Sequence, residues 1–166
     1  GALCDGLVRT LRDGSFVHAY LISGQAGVGK RSLSRLIAQH LLCTGEEKPC
    51  GVCPACVQVR QGNHPDVLVE KPGEPLCPEV ERGRKLIPVD EMRYLLSLVG
   101  QHTFTGGRRV VIIEQADKMN PQAANALLKT LEEPPAHAVF ILATTESAKI
   151  PATITSIGSN AFTEQS

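Results

Sequence analysis

A glycine-rich loop near the start of the chain has the residue types and spacing that suit a phosphate group. Its members are Gly24, Gln25, Ala26, Gly27, Val28, Gly29 and Lys30. Glycines let backbone N–H groups approach a phosphate closely, and the lysine ammonium neutralises the outer phosphates of a nucleotide. The loop lies between an apolar run and an amphipathic segment, as this motif requires, so it predicts a site for ATP or ADP.

The residues after Lys30 depart from the chemistry of a hydrolysing loop. In such loops a Ser or Thr hydroxyl directly after the lysine ligates magnesium. Arg31 stands there instead, and Ser32 follows. Ser32 is rotated by about 100° on a helix with about 3.6 residues per turn, so its hydroxyl does not simply substitute. We keep Arg31 and Ser32 as candidate nucleotide-binding residues without a standard magnesium ligand. A loop that survives only as an architectural turn with an anion site is the alternative.

Four cysteines form a second candidate site, and they are Cys43, Cys50, Cys53 and Cys56. Thiolates at this spacing suit tetrahedral zinc, with Zn–S distances near ~2.3 Å, and four of them leave no open position for catalysis. The spacing is too tight for the disulfide framework of a secreted protein. The sequence therefore predicts a structural zinc knuckle at residues 43–56, with tight turns at Gly51 and Pro54. His64 could replace one cysteine, although four cysteines already complete the shell.

Apolar periodicity predicts the elements that position these sites. The predicted strands lie at 19–22, 67–69, 110–113 and 139–143. Leu3, Leu7, Val8 and Leu11 recur at helical spacing and predict a first helix. Further helices are predicted after the glycine-rich loop, over Val89–Val99 and over 121–133, with a charged surface loop at 71–85. Strands that are continuously apolar and alternate with helices indicate an α/β fold with a parallel sheet covered on both faces.

The composition argues against binding to nucleic acid through overall charge or base stacking, and against insertion into a membrane. The chain has 166 residues and equal numbers of basic and acidic side chains, 17 each, so no global field attracts a phosphate backbone. It has no Trp, which argues against stacking on single-stranded bases. No apolar run is long enough for a membrane span, and no secretory signal is visible, so we expect one soluble cytoplasmic domain with no membrane contact.

The segment from Asn125 to Pro135, NALLKTLEEPP, resembles the signature of bacterial sliding-clamp-loader subunits. The order of phosphate loop, cysteine knuckle and signature matches the nucleotide-binding domain of these AAA+ proteins over nearly the whole chain. The resemblance implies a single N-terminal, RecA-like AAA+ domain over residues 1–166. It also implies a parallel five-stranded sheet flanked by helices, with the Cys4 zinc knuckle at 43–56 as an insertion. The lid and collar domains of this family would lie outside the sequence.

The resemblance also assigns roles at two strand ends. In ATPases of this family the strand corresponding to 110–113 ends in an Asp for magnesium and a Glu that activates water, and here the pair is Glu114 and Gln115. Glu114 could still hold a metal through water. Gln115 cannot take a proton, and loss of a general base costs typically about 10²–10⁴ in rate. Asp117 is interpreted as a turn or cap residue.

The nucleotide-sensing strand of the family resembles residues 141–146, with Thr144 or Thr145 at the sensing position. We take Thr145 as the candidate, and a β-favouring threonine at a strand end is the alternative. Related subunits carry an arginine finger near the end of the domain. The arginine belongs to a Ser-Arg-Cys motif, and here Ile157 and Gly158 replace its arginine and cysteine. An arginine finger can be worth about 10³–10⁵ in rate, so its loss would matter for a neighbouring subunit.

Arg31 and Gln115 favour a delta-prime-type subunit, which braces the loader, over a gamma/tau motor. The resemblance then implies DNA replication within the DNA polymerase III holoenzyme, a DNA-directed DNA polymerase, with no ATP hydrolysis by the chain alone. Its implied partners are gamma/tau and delta subunits, with the sliding clamp and primed DNA reached through the complex, and Lys129 is a candidate contact. The alternatives are an active gamma/tau-like ATPase and a zinc-stapled protein-interaction module without nucleotide.

Overall fold

The computed structural model describes the backbone of residues 7–13, 16–24, 29–145 and 161–164, and the side chains of 18–24 and 29–145. The strands are β1 (Leu7–Asp13), β2 (Phe16–Ser23), β3 (Val67–Glu70), β4 (Arg109–Ile113), β5 (Ala138–Thr144) and β6 (Ala161–Glu164). The helices are α1 (Lys30–Leu42), α2 (Pro54–Gln61), α3 (Val89–Val99) and α4 (Pro121–Glu132). A single 3-10 turn at Ala116–Lys118 follows β4.

The strands form one mixed sheet in the order β3-β4-β5-β2-β1-β6. Neighbours from β3 through β4 and β5 to β2 are parallel, whereas β1 pairs antiparallel with both β2 and β6. The predicted α/β fold with a parallel sheet is confirmed. The predicted count of five parallel strands is corrected to four within the described part of the chain, because the remaining two strands run antiparallel at one edge.

The predicted first helix is wrong where the structure describes it, because β1 occupies Leu7–Asp13. Its register pairs Asp13 with Phe16, so the dipeptide Gly14-Ser15 connects β1 and β2. Gly-Ser between two strand-like runs is a typical hairpin signal. The run LVRTLRD has too few apolar residues for its spacing to decide between a helix and a strand, and pairing with β2 makes it a strand.

Apolar side chains of alternate strand positions enter two cores, one on each face of the sheet. On one face α1 and α2 pack over Ile22, Val110, Ile112 and Ile141. On the other face α3 and α4 pack together over Val111, Ile113, Phe140 and Leu142. Coverage of both faces explains why the parallel strands are continuously apolar in sequence. Among the described residues, no helix has both the length and the apolar character to cross a membrane.

Helix α4, which carries the NALLKTLEEPP segment, is a packing element. The Asn120 side chain caps it by accepting a hydrogen bond from the backbone N–H of Ala123 at 2.8 Å, and Pro121 opens it. Ala124, Leu127 and Leu131 are buried, as their spacing predicts, and Lys129 is exposed. The contact role of Lys129 stays a prediction.

A buried carboxylate organises the loop that enters β4. The Asp66 side chain accepts hydrogen bonds from the backbone N–H groups of Phe104 and Thr105, at 2.7 and 3.0 Å, and from the Thr105 hydroxyl. It also lies 3.8 Å from Nη1 of the buried Arg109. Burial alone would raise the pKa of Asp66, but these hydrogen bonds and the guanidinium outweigh it and lower the pKa below its ordinary value.

Replacing Asp66 by alanine should lower the free energy of unfolding by about 3–5 kcal/mol, because Arg109 would be left as a buried unpaired charge. The folded-state pKa of Asp66 is depressed, so its stabilisation is present above the pKa of the unfolded chain and is lost as the pH falls. Urea unfolding of both proteins from neutral to acidic pH measures this difference. The control Asp90→Ala removes an exposed ion pair with Arg93 and should cost less than about 1 kcal/mol. Equal losses for the two variants would contradict the prediction.

The buried Glu91 holds the segment between β3 and α3. Glu91 accepts hydrogen bonds from the backbone N–H groups of Leu76 and Cys77, at 2.7 and 2.9 Å. The predicted surface loop at 71–85 is therefore tied to α3 from within. Glu70 is fully buried beside it, and burial, with a smaller contribution from Glu91, raises the pKa of Glu70 well above its ordinary value.

The variant Glu70→Gln should be more stable than the wild type at neutral pH, by at least about 1 kcal/mol, the equivalent of one pKa unit. The folded-state pKa of Glu70 is raised, so its contribution is fully present below the pKa of the unfolded chain and is lost as the pH rises. The advantage of the Glu70→Gln variant should accordingly shrink in acid, which thermal unfolding at several pH values measures. Glu79→Gln, at an exposed glutamate, is the matched control and should change little. A pH-independent effect at Glu70 would refute the prediction.

Candidate functional site

A cleft of about 480 Å³ lies at the carboxyl ends of β2, β4 and β5. Backbone hydrogen bonds fix its walls: Gly24 N–H donates to the Thr144 carbonyl at 3.2 Å, and Glu114 N–H donates to the Glu70 carbonyl at 2.8 Å. The cleft is lined by Gly29, Lys30, Arg31, Ser32, Ser34, Glu114, Gln115, Ala143, Thr144 and Thr145. Ligands of open α/β sheets bind at this edge of the strands.

The cleft brings together six of the residues predicted to bind nucleotide: Gly29, Lys30, Arg31, Ser32, Glu114 and Thr145. Gly24 marks the end of β2. The predicted members Gln25, Ala26, Gly27 and Val28 lie outside the described residues, as does the predicted loss of the arginine finger at Ile157 and Gly158. Their roles stay predictions. Ser34 was not predicted as a site residue. The signal that could have identified it is a polar side chain at a buried position of the helix.

Lys30 lies at the start of α1 and faces the cleft. Gly29 precedes it with φ 87°, a left-handed conformation that favours glycine, and its carbonyl accepts the first helical hydrogen bond from Leu33. The Lys30 ammonium donates to the Gly24 carbonyl at 3.0 Å. Burial lowers the pKa of Lys30, and the nearby Asp117 partly offsets that effect. A lysine at this place can neutralise a phosphate group.

Arg31 contacts the acidic strand end directly. Its Nη2 lies 3.2 Å from Oε1 of Glu114, and the two residues are 83 positions apart in sequence. Glu114 is 18% exposed in its side chain, whereas Arg31 is 66% exposed. A magnesium site of the P-loop type needs a hydroxyl where Arg31 stands and a carboxylate facing the ion. Since a guanidinium replaces the hydroxyl and already contacts the carboxylate, these residues do not fit such a magnesium site.

The 3-10 turn after β4 makes a connection that the sequence did not predict. Gln115 has φ 54°, a left-handed conformation that is uncommon for residues other than glycine, and turns the chain at the mouth of the cleft. Asp117, interpreted as a turn or cap residue, lies in this turn and accepts a hydrogen bond from the Thr144 hydroxyl at 2.6 Å. Thr144 is buried and Thr145 is exposed at the cleft. Thr145 therefore remains the candidate for a terminal phosphate.

The four predicted metal ligands converge as the sequence indicates. The Sγ atoms of Cys43, Cys50, Cys53 and Cys56 all lie within 4.8 Å of one another. Such a cluster could hold one metal ion, and zinc remains a prediction. His64, the alternative ligand, lies outside the cluster and accepts a hydrogen bond from the Asp66 N–H at 3.0 Å.

Backbone N–H groups point at the sulfurs of the cluster. The Cys43 Sγ accepts from Gly45 and Cys50, at 3.2 and 3.3 Å, and the Cys53 Sγ accepts from Cys56 at 3.4 Å. The hydrogen bond from Cys56, followed by one from Thr44, lowers the pKa of Cys53 to about 5. Burial raises the pKa of Cys56 to about 11. N–H donors that favour thiolates fit a cation held among the sulfurs.

Pro54 differs from the prediction that it supports a tight turn, because it opens α2 with Cys53 as the N-cap. Proline is favoured at the first helical position, where a missing N–H costs nothing. Gly51 does make the predicted turn, with φ 79°. Arg60 of α2 donates to the Gly51 carbonyl at 2.6 Å, so the helix also closes the knuckle.

Comparison with known proteins gives the same assignment as the NALLKTLEEPP segment. A family model described as DNA polymerase III, delta subunit, matches residues 2–159. DNA polymerase III subunit delta' of Pseudomonas aeruginosa is 42% identical over 144 residues, which is 84% of this chain and 40% of that protein. The chain belongs to the delta-prime type of clamp-loader subunits. The resemblance read from the sequence is thereby confirmed.

Other relatives of this clamp-loader chain include a tau subunit of DNA polymerase III. Subunit delta' of Escherichia coli is 37% identical and subunit tau of the same organism is 40% identical, each over 152 residues and 90% of this chain. The chain spans 43% of that delta' and 22% of that tau. A gamma subunit-related protein of Thermotoga maritima has a TM-score of 0.54 at 24% identity, over 84% of this chain and 38% of its own, and shows the fold alone.

The knuckle of this clamp-loader chain should depend on Gly45. A Cβ at this position would lie 3.0 Å from Cβ and 3.1 Å from Sγ of Cys50, closer than side chains pack. Gly45→Ala should therefore displace Cys50 and weaken metal binding by about tenfold or more, the scale of disturbing groups around a metal site. Metal analysis after competition with a chromogenic chelator measures this. Gly107→Ala is the control, because its Cβ would meet only Thr105 at 3.6 Å. Unchanged retention in Gly45→Ala would show that the cluster tolerates the shift.

Proposed function

We propose that this chain is the AAA+ domain of a clamp-loader subunit that acts in DNA replication as a brace for ATP-hydrolysing partners. Residues 1–166 form one RecA-like domain, and residues 43–56 are an insertion within it. Membership of the delta-prime type supports this function, as does the six-stranded sheet with helices on both faces. This chain spans less than half the length of those delta' relatives.

One observation carries the choice of brace over motor: the Arg31–Glu114 ion pair at 3.2 Å, with Gln115 beside it. A motor needs a hydroxyl for magnesium and a carboxylate that takes a proton from water. This cleft has a guanidinium and an amide at those positions. The phosphate-binding geometry of Gly29 and Lys30 is compatible with bound ATP or ADP, so the cleft is a degenerate nucleotide site.

The proposed partners are the gamma/tau and delta subunits of the same loader, and through them the sliding clamp and primed DNA. Delta' and tau proteins of DNA polymerase III are the relatives that support this assignment. We place the complex in the cytoplasm, as part of the DNA polymerase III holoenzyme. Lys129, exposed on α4, is the residue proposed to contact a neighbouring subunit or DNA.

Zinc is the proposed metal of the cysteine cluster. Four sulfurs within 4.8 Å of one another complete a tetrahedral shell, so the ion would stabilise the fold and take no part in chemistry. It would fasten the end of α1 to the start of α2, where Cys43 and Cys53 lie.

A second candidate, a working gamma/tau-like ATPase, has one observation in its favour: the tau subunit of Escherichia coli is as similar to this chain as delta' subunits are. The side chains of the cleft oppose it. Steady-state hydrolysis by the purified protein, alone and reconstituted with gamma/tau and delta, separates the two functions.

We expect the reconstituted complex to form and the isolated protein to show no turnover. Lys30→Ala in this chain should leave the ATPase rate of the complex within about twofold, because the partners supply the chemistry. Turnover by the protein alone that is lost in Lys30→Ala and stimulated by primed DNA would establish the motor. Failure to assemble with any clamp-loader subunit would refute the brace.

A further inference from the structure

The Arg31 side chain occupies the place beside Glu114 where a divalent ion would bind. The two protein groups expected to face magnesium are the hydroxyl after the lysine and the acid at the end of the neighbouring strand. Arg31 brings no oxygen, and its Nη2 lies 3.2 Å from the acid, Glu114. The Glu114 oxygen is thus neutralised by a cation that belongs to the chain.

The charges of the cleft disfavour an additional divalent ion. Lys30 and Arg31 are balanced by Glu114 and by Asp117, which acts on Lys30. An ion of charge +2 at Glu114 would lie against the guanidinium of Arg31, and both would compete for one carboxylate. The two positive charges would repel each other beside the partly buried Glu114 carboxylate.

The same cleft keeps features that suit a phosphate. The N-terminus of α1, a helix of 13 residues with no acidic residue in its first turn, opens beside Lys30. Ser34 is 1% exposed and lines the cleft, and its hydroxyl has no hydrogen-bond partner among the described residues. Arg31 engages Glu114 through Nη2, and a guanidinium carries five N–H donors, so donors remain for a phosphate oxygen. These groups can bind an anion directly.

We propose that the Arg31 guanidinium, held by Glu114, takes the place of magnesium, so that the cleft binds a nucleoside di- or triphosphate without a divalent ion. This inference deepens the proposed function and rests on it, because a subunit that does not hydrolyse nucleotide has no need of the metal. Gln115, which cannot act as a general base, is consistent with such a site.

Calorimetric titration of the purified protein with ATP and with ADP tests the inference. One series uses excess magnesium, and the other uses buffer freed of divalent ions by a chelating resin, since a soluble chelator could also strip the cysteine cluster. The wild-type dissociation constant should differ by less than about twofold between the series. Arg31→Thr, which restores the hydroxyl, should bind about ten- to a hundredfold more weakly without magnesium and regain affinity when magnesium is added.

The matched control is Arg35→Thr, which removes the same charge one helical turn further along α1 at an exposed residue that does not line the cleft. It should leave both dissociation constants unchanged, and unfolding curves verify that all variants are folded. Wild-type binding that tightens tenfold or more with magnesium would overturn the inference, as would no binding in either buffer or an unaffected Arg31→Thr. Each of these results leaves the brace standing, whereas magnesium-dependent hydrolysis would refute the brace as well.

Discussion

Parallel pairing of β2, β5, β4 and β3 is the constraint on which the site depends. It brings the carboxyl ends of strands that are far apart in sequence to one edge of the sheet. Two backbone hydrogen bonds, from Gly24 to Thr144 and from Glu114 to Glu70, then set where the chain leaves each strand. Lys30, Glu114 and Thr145 are far apart in sequence, so only the pairing of the strands brings them close together.

The sequence predicted what depends on local pattern. The bounds of α3 follow from its apolar spacing, and the cysteine cluster follows from ligand spacing over a few residues. It did not predict what depends on pairing across the fold. The spacing of the few apolar residues in β1 does not indicate a strand, and its pairing with β2 and β6 determines the strand. The contacts of Asp66, Glu91 and Asp117 likewise join segments between 14 and 39 residues apart.

The two residues on which the proposed loss of hydrolysis rests lie outside the core. Arg31 and Gln115 are exposed at the cleft, whereas the apolar side chains that hold the sheet and helices together lie beneath it. The fold and the cleft therefore depend on separate sets of residues. A chain of this fold can change its residues at the cleft and keep its shape, which is what the proposed brace function requires.

Helix α1 begins at Lys30, beside the cleft, and ends next to Cys43, the first cysteine of the knuckle. Inserting or deleting one residue would turn one end relative to the other by about 100° and shift it by about 1.5 Å. Either Lys30 would move out of the cleft or Cys43 would move away from the other three cysteines of the knuckle. The length of α1 thus fixes the position of Lys30 relative to that of Cys43. Substitutions along it are tolerable where its surface is exposed, but a change in its length is not.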